Sequence, residues 1–463
     1  MTYQVPQHID KEKIFIINRS EIEGRLDPSV SKPHFKFVSK AFRNVKLSEI
    51  AWIDPLCMFK DIEEVSFIPM DAIDSSNGIV SYQGIKKVEE TKGFTRFKEG
   101  DILWAKITPC MQNAKSAIAK KLINGYGCGS TEFFVIRSKD ENVVLQEYLL
   151  FLLRDERILK SAMNYFGGSA GQQRVSPLFL KTFNVPLPGI EEQKCYCELL
   201  KNAQILKQQK EQQAEDILNN IDGYLLEELA ITLPEVKTDL KSRQFIINRS
   251  ALEGRLDPSV YKDGIKLISE KYDNVKLSSC AWINPNTSFK GKDAETRISF
   301  IPMEVIDECY CEVTSILEKP ISDSSGFTRF QEDDLLWAKI TPCMQNGKSV
   351  VVRGLKNGLG CGSTEFFVIR PRTEQLSIDY LQALLHMKAI RKTAMLYFGG
   401  SAGQQRVSVN FLEHFNVPLP LVDKQQEIAA HISEMRVQAK QLQAEGAEIL
   451  QKAKLKVEQM ILG

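Results

Sequence analysis

The chain has 463 residues, room for two or three domains, and at 43% hydrophobic it carries ample core. A formal net charge of +1 argues against a protein that grips a polyanion unaided, through phosphate charge alone. No apolar run approaches the ~20 residues that cross a bilayer. The opening MTYQVPQHIDKEK lacks a secretory signal, so the expectation is a cytoplasmic protein with no membrane partner.

Almost everything in the chain occurs twice. FIINRSEIEGRLDPSV starts at Phe15 and FIINRSALEGRLDPSV at Phe245. WAKITPCMQN starts at Trp104 and Trp337, GCGSTEFFVIR at Gly127 and Gly360, and FGGSAGQQRVS at Phe166 and Phe398. The offset stays between 230 and 233 residues, so insertions between copies are few and small.

Residues 34–50 and 58–137 hold short Val-, Ile- and Phe-rich runs broken by Gly, Asp, Asn and Pro, which is strand and turn chemistry. Thr131–Arg137 is predicted as a strand. Leu149, Leu152, Leu153 and Leu159 fall at helical spacing and predict a helix within 143–165. A short helix is predicted over Arg174–Thr182. Asn184–Pro188 reads as extended, because each Pro keeps its predecessor out of the α region.

Residues 191–230 then read as one long helix, with Leu199, Ala203, Leu206, Ala214, Ile217, Ile221 and Leu225 as its apolar positions and Pro234 as its stop. In the second copy Ile428, Ile432, Met435, Ala439, Leu442, Gly446, Ile449, Ala453 and Met460 alternate steps of four and three, interrupted at Lys456. That is a heptad seam. Asp423 with Gln426 resembles a capping box at its start. Two helices each packed on its own domain would explain part of this pattern. A strict seam with small residues points instead to the two tracts pairing with each other, with a pseudo-two-fold axis relating the copies. The expected fold is α+β: two tandem mixed α/β domains, residues 1–189 and, with a linker, 234–421. Each is followed by a long helix, 190–233 and 422–463, and the helices pair as an antiparallel coiled coil.

Catalytic constellations are sparse. The five His have no counterparts between copies, which excludes a duplicated His-dependent site and leaves a single one open. The 10 Cys include no CxxC, and Cys195 with Cys197 is unmatched in the other copy, so neither metal nor cofactor is expected. Asp101 and Glu132 recur as Asp334 and Glu365, in apolar strand-like settings that suit a turn or a buried partner better than catalysis. The Asn/Asp/Ser-Pro-Pro-Tyr/Phe tetrad of amino-methyltransferases is absent; Ser176-Pro-Leu-Phe179 comes nearest. Glu192-Gln-Lys194 opens a helix, unlike a nuclease motif. Gly125–Gly129 precedes a strand and reads as a turn, not a nucleotide loop.

Recognition chemistry remains. Gly167, Gly168 and Gly171 permit close backbone approach, and Gln172, Gln173 and Arg174 follow at once. Gln suits the adenine edge, and Arg the guanine edge or a phosphate. The DNA-contact candidates are Arg96, Lys106, Thr108, Asn113, Lys115, Ser169, Gln172, Gln173 and Arg174 in the first copy. In the second they are Arg329, Lys339, Thr341, Asn346, Lys348, Ser401, Gln404, Gln405 and Arg406. The helix-pairing candidates are Leu199, Ala203, Leu206, Ile217, Ile221, Ile428, Ile432, Met435, Leu442 and Ile449. Any one of the polar residues suits a solvent-facing turn; their joint duplication favours recognition.

On these features the chain resembles the specificity subunit of type I restriction–modification systems. The matching residues are the doubled Gly-Ser…Gln-Arg-Val loop, Pro-Leu-Pro leading into a Glu/Gln-rich helix, Gly-Ser-Thr-Glu-Phe in both copies, and Gly-Asp-Ile-Leu…Lys-Ile-Thr-Pro in the first. The second copy departs with Asp333-Asp334 for Gly100-Asp101. The resemblance covers nearly the whole chain from Phe15. It implies two target-recognition domains reading a split site in double-stranded DNA, and long helices that dock adenine methyltransferase subunits, two in number. Methylation and ATP-dependent restriction would belong to partner subunits, and the chain itself would be non-catalytic. A stand-alone DNA-modifying enzyme and a protein-binding scaffold with no DNA role are the competing readings.

Overall fold

The computed structural model describes residues 38–168, 172–234, 260–261, 264–400 and 404–463, so the two FIINRS segments lie outside the described residues. The chain divides into two compact units, Met1–Gln208 with Ala447–Gly463, and Gln209–Gly446.

Unit 1 is built on the strand Phe133–Ser138. Phe133 and Val135 face one apolar cluster and Phe134 and Ile136 another, which is why FFVI shows no polar alternation. This strand pairs antiparallel with Ala51–Ile53 on one side and Ile102–Ala105 on the other, and Ser116–Ile118 completes a four-stranded sheet. A second sheet runs Gly84–Lys87, Glu64–Ile68, Tyr126–Gly129, Thr95–Lys98, with one parallel pair. Ile68 and Phe97 of the second sheet share a cluster with Leu103, Ala117, Phe133 and Val135 of the first, so the sheets pack face to face. The Gly-rich string predicted as a turn is therefore the strand Tyr126–Gly129. Its glycines are required by packing: a Cβ on Gly127 would lie 2.3 Å from the Phe97 ring, and one on Gly129 would lie 2.2 Å from the Ile68 carbonyl oxygen.

The other face of the first sheet carries α1 (Gln146–Leu153), α2 (Glu156–Met163) and α3 (Pro177–Thr182). Trp104 sits beneath them, stacked 6.2 Å from Phe134 and 6.3 Å from Phe179, its indole N–H donating to the Leu153 carbonyl. The single helix predicted across 143–165 is two, because Asp155 turns extended and caps α2 with its side chain. The short helix starts only at Pro177, behind the Ser176 cap; Arg174–Val175 is a strand paired to Phe166–Gly167. Buried Asp101 is gripped by the Arg137 fork at 2.6 and 2.7 Å, and Asp334 by Arg370 at 2.6 and 2.8 Å, so both recurring aspartates are structural ion pairs.

The long helix α4 spans Ile190–Glu228. It stops six residues before Pro234, where Ala230 turns left-handed at φ 47 and the Ile231 N–H reaches back to the Leu226 carbonyl. Unit 2 repeats the two four-stranded sheets in the same order. Its helices include α5 (Ile378–His386), α6 (Lys388–Met395), α7 (Val409–His414) and α8 (Val422–Leu462). Asp423 lies inside the first turn of α8 and is not its cap; the Leu421 carbonyl accepts the Gln425 N–H.

The long helices run antiparallel within each unit. In unit 2 Glu228 meets Lys424 at 2.9 Å, the Tyr224 and His431 rings lie 4.5 Å apart, and Lys210 meets Glu445 at 2.8 Å. In unit 1 Tyr196, near the start of α4, shares a cluster with Val457 and Ile461, near the end of α8. Ala203, Ile221, Ile428, Ile432 and Ala439 are buried; Leu199, Ile217, Met435, Leu442 and Ile449 are half-buried. Two positions differ from the seam. Leu206 is 47% exposed, and the seam continues past Ala453 through Val457 and Ile461, both fully buried, instead of Lys456 and Met460. A helix of 3.6 residues per turn drifts off a strict heptad, and here it turns the next residue toward the domain core.

Each long helix is pinned at its first turn by a wholly buried glutamine. Gln193 donates to the Val143 and Pro188 carbonyls and accepts the Leu145 N–H; Gln425 donates to Gln375 and Pro420 and accepts the Ser377 N–H. Among the described residues no cluster could hold a metal ion, and no helix is long and apolar enough to cross a membrane.

Candidate nucleic-acid interface

The recurring polar residues gather where two loops are stitched by backbone. Thr108 N–H donates to the Gln173 carbonyl, and Val175 N–H to the Lys106 carbonyl. Thr341 with Gln405, and Val407 with Lys339, repeat both bonds in unit 2. The loop 106–115 and the paired strands Phe166–Gly167 and Arg174–Val175 therefore form one rim at the edge of the first sheet, and its equivalent recurs in unit 2. Gly168 at φ 110 and Gly400 at φ 107 turn the hairpin, a conformation that favours glycine. Ser169 and Ser401 lie outside the described residues.

Gln172, Gln404 and Gln405 are exposed on this rim, as are Asn113 and Asn346. Lys106 lies 5.3 Å over Phe134 and Lys339 5.7 Å over Phe367, with their stems on the core. Arg174 is held in a fork by Glu132, Nη2 to Oε1 at 2.7 Å and Nε to Oε2 at 2.9 Å, while its Nη1 reaches the Gln172 carbonyl. Arg406 and Glu365 repeat the fork at 2.8 and 2.9 Å. The Arg406 guanidinium holds the Glu365 carboxyl below its ordinary range, against an opposing push from burial. Each arginine is thus oriented at the rim and locally neutralised. A further partner on the fork side can take it only by exchanging with the carboxylate, while Nη1 and Nη2 each keep a second N–H.

The remaining candidates sit elsewhere. Arg96 and Arg329 are on the second sheet, stacked 4.7 Å over Phe59 and 4.6 Å over Phe289, each with a hydroxyl partner, Thr91 or Ser324. Lys115 and Lys348 turn inward to the Met70 and Met303 carbonyls at 3.1 and 3.2 Å. Their recurrence has a structural cause. Sequence reasoning missed the glutamates as the arginines' partners, although their recurrence at matching positions was visible.

The fold of each unit, with its own rim, is one framework built twice along the chain. The family model for the type I restriction modification DNA specificity domain matches residues 40–236 and again 270–448, and the chain belongs to this family. It is 33% identical over 237 residues to the Escherichia coli type I restriction enzyme EcoAI specificity subunit, covering 50% of this chain and 39% of that protein. To the EcoEI specificity subunit of the same organism it is 38% identical over 195 residues, covering 41% of this chain and 32% of the relative. The matches thus span well under half the length of these relatives. A chain solved in work on complex assembly and conformational transition of the type I R-M system has the same fold, with a TM-score of 0.54 at 16% identity over 91% of this chain and 96% of that one.

Proposed function

We propose that this chain is the DNA sequence-recognition subunit of a type I restriction–modification complex. Each domain reads one half of a bipartite target in double-stranded DNA, and the long helices dock two adenine methyltransferase subunits. Methylation and ATP-dependent restriction belong to those partners and the restriction subunits, in the cytoplasm. The observation that carries this reading is the twofold presence of an exposed Gln–Arg rim on one domain framework, in a chain of this family. The weak net charge fits a subunit that borrows phosphate contacts from its partners. Like domains on antiparallel helices favour half-sites that are in part inverted repeats.

The test is reconstitution with the methyltransferase subunits, followed by selection from randomised duplexes. One recurrent split sequence is the expected result, and Arg174→Ala or Arg406→Ala weakens its binding by roughly 1–3 kcal/mol where the arginine reads a base. Equal loss on scrambled duplexes marks a phosphate contact instead. Selection that enriches no sequence from any complex defeats the reading in favour of a scaffold.

A further inference from the structure

The second sheet of unit 1 turns Ile68 and Phe97 toward the first sheet, so alternate residues face away from it. The register sets Phe67 beside Cys128, Cys128 beside Arg96, and Lys86 beside Val65 on that outer face. Lys86 Nζ lies 4.9 Å over the Phe67 ring and 5.3 Å over Phe94, and Arg96 lies over Phe59. The Phe67 and Phe94 rings meet edge to face at 5.2 Å and brace each other. Both cations act on buried Cys128: burial raises its thiol pKa to about 11, and the Lys86 and Arg96 charges oppose that rise.

Unit 2 repeats the face. Lys319 lies 3.5 Å over Phe300 and 4.0 Å over Phe327, Arg329 lies over Phe289, and Cys361 feels the same two charges. The residues around the cations are exchanged: Gly84, Tyr126 and Lys98 of this face become Leu317, Leu359 and Gln331.

The contrast with the rim is one of charge. Arg174 and Arg406 are each forked by a glutamate. Among the described residues no carboxylate is ion-paired with Lys86, Arg96, Lys319 or Arg329; their neighbours are ring faces and, for the arginines, one hydroxyl each. A ring face holds a cation without cancelling its charge or using up its N–H donors. A side chain already ordered in this way gives up less freedom when it meets an anion. Cys128 precedes Glu132 of the rim by four residues, so the face begins within about 14 Å of the rim at ~3.5 Å per residue. Along one strand of a duplex that length covers about four phosphates.

We propose that the outer face of each second sheet is a contact for the DNA backbone, Lys86 with Arg96 and Lys319 with Arg329 holding phosphates beside the half-site of their own unit. This rests on the recognition reading above. Cations that recur while their neighbours are exchanged suit the part of DNA that is the same whatever the sequence.

Titration of the reconstituted complex with its selected duplex and with a scrambled one, at several salt concentrations, tests this. Lys86→Gln and Lys319→Gln are each expected to weaken both duplexes alike, roughly three- to tenfold, and to lower the salt slope by about 1 while the selected sequence stays the same. Lys86→Arg, which keeps the charge, is expected to stay within about twofold of wild type. Circular dichroism checks folding, and methionine, which keeps an unbranched stem on the rings, replaces a glutamine variant that does not fold. Unchanged affinity and slope in a folded variant, in a complex that still selects a split sequence, overturns this proposal and leaves the recognition reading standing. Loss confined to the selected duplex overturns it in favour of a base contact. Loss of methyltransferase assembly, with DNA binding by the assembled complex unchanged, overturns it in favour of an acidic protein surface. A wild-type complex that selects no sequence removes both the proposal and the reading beneath it.

Discussion

Arg154 and His386 stand at the same place in the two copies, where α1 and α5 run out, and each settles that buried position by a different route. Arg154 is charged and saturated: its guanidinium donates to the Ala114, Ser116, Ser75 and Ser76 carbonyls at 2.6 to 3.2 Å. His386 is short and neutral, with Nδ1 3.2 Å from the Gly347 carbonyl and 3.4 Å from Cys311 Sγ. The neighbour has changed with it. A Cβ on Gly78 would lie 2.9 Å from the Arg154 guanidinium, so the long side chain needs glycine there; the matching residue beside the shorter His386 is Cys311. Between two nearly identical frameworks, a buried charge can be satisfied or removed, but either choice binds partners distant in sequence.

The largest expected effect tests the shared part of the comparison. Asp101→Ala and Asp334→Ala each leave a partly buried arginine without its carboxylate, and each is expected to cost about 3 kcal/mol. Denaturant melts should show similar losses; a large gap between them would mean the two frameworks are not equivalent.

Next comes the node itself. Arg154→His leaves several carbonyls without donors and is expected to cost about 3 kcal/mol. Gly78→Cys alone crowds the guanidinium. The double variant should recover about 1 kcal/mol relative to the sum of the two, read by a double-mutant cycle. Strict additivity would break the link between these positions.

A pH titration separates the units. His386 has its pKa lowered, so its neutral state contributes fully above the ordinary value near 6.5, and that contribution is lost as pH falls toward about 3. The groups facing it are Arg436, Arg391 and Lys388 with buried Cys311, so no carboxylate supports the protonated form. Between pH 6.5 and pH 5 unit 2 should lose about 2 kcal/mol from this group. Hydrogen exchange should show α5 amides losing protection while α1 amides, beside the permanently charged Arg154, keep theirs.

The smallest effect lies at the rims, where the copies agree. Glu132→Gln and Glu365→Gln free an oriented guanidinium, and each is expected to tighten DNA binding by the reconstituted complex by about 1 kcal/mol and to steepen its salt dependence. Fluorescence anisotropy at two salt concentrations checks both. Weaker binding would mean the carboxylate itself contacts the DNA.

The duplication, the central FFVI strand and both long helices were legible because they rest on local periodicity and on repeated strings. The helix break at Asp155 was hidden inside a leucine pattern that continues across it. The end of the seam was misplaced because a heptad count cannot sense the domain core that draws in Val457 and Ile461. The residues of the rim could be singled out by their recurrence, but not the pairing of their arginines with Glu132 and Glu365, since each pair is joined across more than 40 positions. The exchange of Arg154 for His386 was not legible at all. It arises where the copies differ by single residues, and no repeat marks a difference.

Gln193 and Gln425 have a mechanical consequence. Each fastens the first turn of a long helix to the residue that opens α1 or α5. Those short helices end at Arg154 and His386, which hold the carbonyls of the rim loop at Ala114 and Gly347. Rod, short helix and rim are therefore one linkage without a slack joint, in which the short helix alone spans about 12 to 14 Å at 1.5 Å per residue. A torque on the long helix of either unit turns the rim with it, so whatever grips the rod also aims the exposed glutamines and arginine of that rim.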